Sequence, residues 1–232
     1  MNSNIELISL TNMIKKITFL IFITSMACVM AQDKNFEDGF IVTTNSDTLY
    51  GKIKKDKKSV MSKKIYFAKN GGDSGVEFFK PSSLKGFSLS DENYVSVDFN
   101  NTKNGKKIAS KRFAQVLVNK EVSLYKVDLD ASEINYEYES PAYYGYVLKM
   151  DSSFYSLTQE EVISNRTEKG ISFKSGLPYH ANKKYTTIRK YYIGILKYAF
   201  LNCSRISTQI NNLKFADKSM IKLIYDYNKC MK

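Results

Sequence analysis

Hydrophobic and polar residues alternate along most of the first two thirds of this chain, and that period predicts antiparallel strands. The segment Gly39-Phe-Ile-Val-Thr-Thr-Asn-Ser-Asp-Thr-Leu-Tyr-Gly-Lys-Ile53 reads as a hairpin. Ile41–Thr43 pairs with Leu49–Ile53 across Asn45-Ser46-Asp47, residues that accept turn dihedrals and bond their own backbone. Further strands are expected at Ile65–Ala68, Val76–Phe79, Phe87–Leu89 and Tyr94–Phe99, with Pro81 ending the second of these. Phe113–Asn119, Ser123–Leu129, Ile134–Glu139, Tyr144–Lys149 and Ser153–Leu157 continue the series. Short strands at this spacing predict a curled sheet, a sandwich or a partial barrel over residues 32–160.

Beyond Thr158 the alternation stops. Residues 161–186 are polar and hold Gly170, Gly176 and Pro178, which predicts a connector. From Thr187 the period becomes helical, with Ile188, Tyr192, Ile195, Ala199 and Cys203 on one face. Ser204 opens a short helix to Ile210, and Asp217 opens a third whose apolar stripe is Met220, Ile221, Ile224, Tyr227 and Met231. The class is therefore α+β: an antiparallel β-rich domain followed by a C-terminal helical hairpin, or three short helices, over 187–232.

The N-terminal stretch follows a different logic. Lys15 and Lys16 precede an uncharged apolar run, Ile17–Val29, and Val29-Met30-Ala31 supplies small residues for a cut. This is the pattern of an export signal over 1–31, beginning at Met1 or Met13. The run is shorter than the ~20 residues of a comfortable bilayer span. Ser25 stands where a lipoprotein signal carries an aliphatic residue, so lipid attachment at Cys28 is the less favoured processing. Export to the periplasm, the outer envelope or beyond takes Cys203 and Cys230 into an oxidising space, where pairing is expected. Two buried free thiols are the rival reading.

Charge narrows the partners. Lys and Arg total 35 against 23 Asp and Glu, a net +12. Such a surplus suits acidic glycans and lipid head groups or serves solubility alone; envelope proteins are the other partner class, and nucleic acid is not expected outside a bacterial cytoplasm. Lys52, Lys54, Lys55, Lys57, Lys58, Lys63 and Lys64 form one basic run; Lys103, Lys106, Lys107, Lys111 and Arg112 form another. Both are expected at turns, as solvated loop tips or as contacts with an anionic surface. The contact reading gains if the fold brings the runs together. Tyr136, Tyr138, Tyr143, Tyr144 and Tyr146 suit either sugar stacking or sheet packing.

Catalytic chemistry finds little support. Gly72-Asp73-Ser74-Gly75 resembles the nucleophile segment of chymotrypsin-like proteases, yet the single histidine, His180, follows it where that family places its histidine upstream. One histidine also falls short of a catalytic zinc set, and the acid pairs Asp91/Glu92 and Asp128/Asp130 lack the spacing of a calcium loop. No catalytic residue, metal ligand or cofactor is assigned. The expectation is a non-catalytic exported module that binds or builds the cell envelope. The alternatives are a glycan hydrolase working through carboxylates alone and a basic module docking anionic lipid or lipopolysaccharide.

Three places carry a resemblance: the hairpin at 39–53, the turn Phe79-Lys-Pro-Ser-Ser-Leu-Lys-Gly86, and the ending Phe200-Leu-Asn-Cys203 with Leu223-Ile-Tyr-Asp-Tyr-Asn-Lys-Cys230. With these, the chain resembles a group of uncharacterised exported proteins common in Bacteroidetes. The resemblance implies an envelope location and no activity.

Overall fold

The computed structural model describes residues 35–69, 75–134, 143–171 and 178–231. The expected export signal, the Gly72–Ser74 stretch and Tyr136 and Tyr138 of the expected 134–139 strand lie outside them. Twelve strands are described: β1 (Phe36–Thr43), β2 (Thr48–Lys54), β3 (Ile65–Lys69), β4 (Val76–Phe79), β5 (Leu84–Leu89), β6 (Glu92–Lys103), β7 (Lys106–Val118), β8 (Val122–Asp128), β9 (Tyr144–Met150), β10 (Ser153–Leu157), β11 (Glu160–Ile171) and β12 (Pro178–Arg189). The helices are α1 (Lys58–Met61), α2 (Tyr191–Ala199), α3 (Ser207–Asn211) and α4 (Asp217–Cys230), with 3-10 turns at Ala131–Glu133 and Ser204–Ile206.

Ten strands form one open antiparallel sheet in the order β10-β9-β8-β7-β6-β5-β1-β2-β3-β4. Its connectivity forces it to curl. Phe79 ends β4 at one edge, and Leu84 begins β5 on the far side of β1. A five-residue step reaches at most about 17 Å, whereas four strand spacings in a flat sheet span about 19 Å. The β1–β4 wing accordingly folds over toward β5–β7. Ser96 on β6 donates to the Pro81 carbonyl, and Phe113 N on β7 donates to Ser62 O at 2.9 Å. The enclosed space is filled by a buried cluster of Ile41, Ile53, Ile65, Phe67, Leu84, Phe87, Tyr94 and Phe113.

The second half curls as well, toward the other face. Val97, Phe99, Ala114, Tyr125, Val127 and Val147 pack together there, and Asn100 N on β6 reaches Ser156 Oγ on β10 at 2.8 Å. Gly145 is required by this closure, because a Cβ on it would lie 2.6 Å from Phe99 Cζ. The reverse face of β8–β10 carries Val122, Leu124, Tyr146, Leu148 and Leu157, which α2 and α4 cover with Tyr192, Leu196, Met220, Leu223, Ile224 and Tyr227. The helical segment is tied internally by a Cys203–Cys230 disulfide, Cα atoms 6.2 Å apart.

Several boundaries differ from expectation. The 161–186 stretch is a two-stranded ribbon, β11 pairing with β12 from Glu160↔Arg189 to Ile171↔Pro178. Its described side chains at 164–167 and 182–189 are exposed, so neither face has the apolar stripe that makes a strand legible. Ile188 therefore belongs to β12, the first long helix starts at Tyr191, and Cys203 follows it rather than ending it. On α4, Leu223 and Asn228 are buried, while Met231, just past its end, is 44% exposed.

Candidate functional site

Strand register sorts the first basic run into separate places. In β2–β4 the odd residues face the core, so the even ones share the outer face. Lys52 pairs with Ala68, and Ala68 with Val76, while Tyr66 pairs with Phe78. Lys54 Nζ lies 5.9 Å from the Tyr66 ring centroid; Lys64 Nζ lies 4.9 Å from it and donates to Tyr66 Oη at 2.7 Å. On the neighbouring strands Phe40 and Tyr50 bring their rings to 5.7 Å. Tyr50 is 74% exposed, Phe78 60% and Val76 50%. The outer face thus interleaves aromatic rings with Lys52, Lys54 and Lys64. Among the described residues of β2, β3 and β4 no carboxylate shares it; Asp38, at the start of β1, lies at its rim.

The other lysines of the run serve the fold. Lys55 pairs with Glu37 and Lys58 with Glu92, both at 2.6 Å. Lys63 pairs with Asp130 and, at 3.1 Å, with Glu133. Lys57 is exposed beside α1. Glu133 also takes Arg112, and Lys103 donates to Ser132 O, so the two basic runs meet through Lys63 and Arg112 at the shared acid Glu133, while Lys106, Lys107 and Lys111 are exposed on β7. The Asp130–Glu133 turn is held by a reciprocal capping box.

A second polar feature lies between the two cores that share one sheet face. Tyr94, Gln115, Lys126 and Tyr146 form a rung across β6, β7, β8 and β9. Both Glu92 oxygens are occupied: Lys58 and Gln115 Nε2 (2.9 Å) bond Oε1, and Tyr94 Oη bonds Oε2. Burial raises the Glu92 pKa, but the Lys58 and Tyr94 hydrogen bonds outweigh it and hold the carboxyl below its usual value. Asp217, the first residue of α4, accepts from Tyr146 Oη at 2.7 Å and Lys126 Nζ at 2.8 Å. These bonds lower its pKa against the opposing effect of burial. Asp128 goes the other way: burial pushes its pKa up, only partly offset by Lys126 and Lys58.

Of the tyrosine cluster, Tyr144 and Tyr146 belong to packing. Tyr144 stacks on Phe215 at 5.7 Å, and Tyr146 meets Phe215 edge-on at 5.0 Å. Tyr143 is 45% exposed. Among the described residues no group of three or more His, Cys, Asp or Glu side chains is placed to hold a metal ion, and no helix is long and apolar enough to cross a membrane. The outer face is hidden in the sequence because its lysines sit in one continuous basic run with lysines that the fold sends elsewhere. The even spacing of Tyr50, Lys52 and Lys54 within β2 was the available signal. No family model, curated protein or solved structure matches this chain.

Proposed function

We propose that this protein is an exported, non-catalytic binding module of the cell envelope, docking on an anionic lipid layer through the outer face of β1–β4. The observation that carries the reading is the segregation of Lys52, Lys54 and Lys64 among exposed Tyr50, Val76 and Phe78, while acid-paired lysines of the same run lie elsewhere. A lysine close to an anionic leaflet contributes about 1 kcal/mol. Amphipathic rings favour the headgroup level, where one end is apolar and the other wet. The Cys203–Cys230 bond is compatible with an oxidising, exported setting.

The carboxylate-hydrolase reading draws on one observation, the opposite pKa shifts of Asp128 and its neighbours. Glu92 and Asp217 each have both oxygens occupied by protein donors, which favours a role in joining α1 and α4 to the sheet. Co-sedimentation with phosphatidylcholine vesicles, with and without phosphatidylglycerol or lipopolysaccharide, tests the proposal. Binding is expected to the anionic vesicles alone and to be lost near 1 M salt, where screening acts within about 3 Å. Equal binding to neutral vesicles, or none to either, contradicts it. The lipopolysaccharide arm identifies which anionic headgroup is preferred.

A further inference from the structure

A two-stranded ribbon with no layer behind it is marginal in water, and β11–β12 is such a ribbon, with no third strand among the described residues. Its root is nonetheless fixed. Glu160, 2% exposed, accepts from Gly105 N and from Tyr191 Oη, both at 2.9 Å, so one buried carboxylate ties β11 to the β6–β7 turn and to the start of α2. Beside it Tyr192 N donates to Thr158 O at 3.1 Å. Beyond Ile163 the described side chains of the ribbon, at 164–167, 169 and 182–189, are all exposed. We propose that this ribbon is a docking arm, which takes an extended acidic peptide segment of a partner protein as a third strand.

Charge selects the partner. From Val162 to Arg189 the sequence carries six Lys or Arg residues and one acid, Glu168, which lies opposite Ala181 in the register. That register also spaces the bases: Arg166 stands opposite Lys183, and Lys184 opposite Asn165. Directly opposed residues lie about 5 Å apart at Cβ, and pairs on one face recur about every 7 Å along the strand. Arg166 and Lys183 share one face, Lys169 and Lys184 the other. A second copy of the ribbon, equally basic, is repelled, as lysines on edge strands generally ensure. An acidic strand is not. The backbone selects an extended peptide over an anionic glycan. Each strand pairs along all 12 of its residues, and in a two-stranded sheet each outer edge then presents alternate amides and carbonyls that an added strand pairs with. Side chains of an added strand alternate between the faces, so acids on either side of it meet a base of the ribbon.

Calorimetric titration of the intact protein tests the arm with three probes. They are a peptide alternating Glu and Thr and as long as one ribbon strand, the same peptide N-methylated at every residue, and an oligogalacturonate of equal charge. The first peptide is expected to bind saturably. N-methylation removes the backbone donors and keeps the charge, and is expected to weaken binding roughly tenfold or more, as is replacement of the peptide by the glycan. Arg166→Gln/Lys184→Gln, both exposed positions, is expected to weaken the peptide roughly tenfold with the melting temperature unchanged. Lys52→Gln/Lys54→Gln, which removes equal charge from the outer face of β2, is expected to leave it unaltered. The proposal is overturned if the acidic peptide gives no saturable binding, if the N-methylated peptide or the glycan binds as tightly, or if the two double variants behave alike. Because the lipid-docking reading rests on β1–β4, failure here leaves that reading standing.

Discussion

Asn228 shows how one polar side chain can complete an apolar interface. Buried on α4, it accepts from Val122 N and donates to Val122 O, both at 3.0 Å, and also bonds Ile224 O. Asn228→Leu leaves the Val122 amide and carbonyl unpaired, and should cost about 2–6 kcal/mol at the ~1–3 kcal/mol of each lost buried partner. Calorimetric melting checks this, and an unchanged midpoint contradicts the assigned contact. Asp128 provides a prediction of opposite sign. Its folded pKa is raised, so its contribution is present below its unfolded value near 4 and lost as pH rises through the raised one. Asp128→Asn should therefore be more stable than the parent at neutral pH, with the difference vanishing in acid. Denaturant titrations at both pH values measure it. Neither residue was legible beforehand. Asn228 interrupts the stripe Ile224–Tyr227 as a polar letter, and Asp128 is indistinguishable in sequence from a solvated strand-end acid.

Among the elements, the early hairpins were legible because each strand has one buried face, as in Ile41/Leu49/Ile53 with its polar turn, where Ser46 adopts φ 74°. The β6–β7 hairpin extends further than its apolar residues predict. Its turn signal was nonetheless present: Asn104 and Gly105 both take positive φ, 53° and 72°, as a two-residue type I′ turn demands. The β11–β12 ribbon had no such signal on either face. The C-terminal pair was read from compartment and helix placement, and the disulfide closes a 27-residue separation. Cys203→Ser should destabilise by about 2–4 kcal/mol in the chain-entropy account, and the double Cys203→Ser/Cys230→Ser should match it, since both remove one bond. Melting of the singles and the double decides; additive losses would contradict a shared bond. Asp217, Glu92 and Asp130 join separate elements through lysine partners, and all three have lowered pKa values. The stability they contribute is present above about pH 4–5 and lost as pH falls through their folded values. Lys126→Met should flatten that acid limb in a melting series, and an unchanged limb would remove Asp217 from it.

Across the whole molecule, two curls in one sheet turn a single lysine-rich stretch into several environments. The overall class was legible from alternation and helical period. The distribution of charge was not, because it depends on which acids the curls bring near: Glu92 to Lys58, and Asp130 and Glu133 to Lys63. Lys52, Lys54 and Lys64 remain on the outer face without an acid beside them on β2–β4, and the proposed docking rests on that placement. The most direct measurement compares two variants of equal charge by sedimentation with phosphatidylglycerol-containing vesicles. One is Lys52→Gln/Lys54→Gln/Lys64→Gln; the other is Lys106→Gln/Lys107→Gln/Lys111→Gln, drawn from the exposed residues of β7. At about 1 kcal/mol per lysine, the outer-face triple should lose on the order of a hundredfold in vesicle affinity, while the β7 triple loses little. Equal losses in the two variants would show that net charge alone drives association and would contradict a defined docking face.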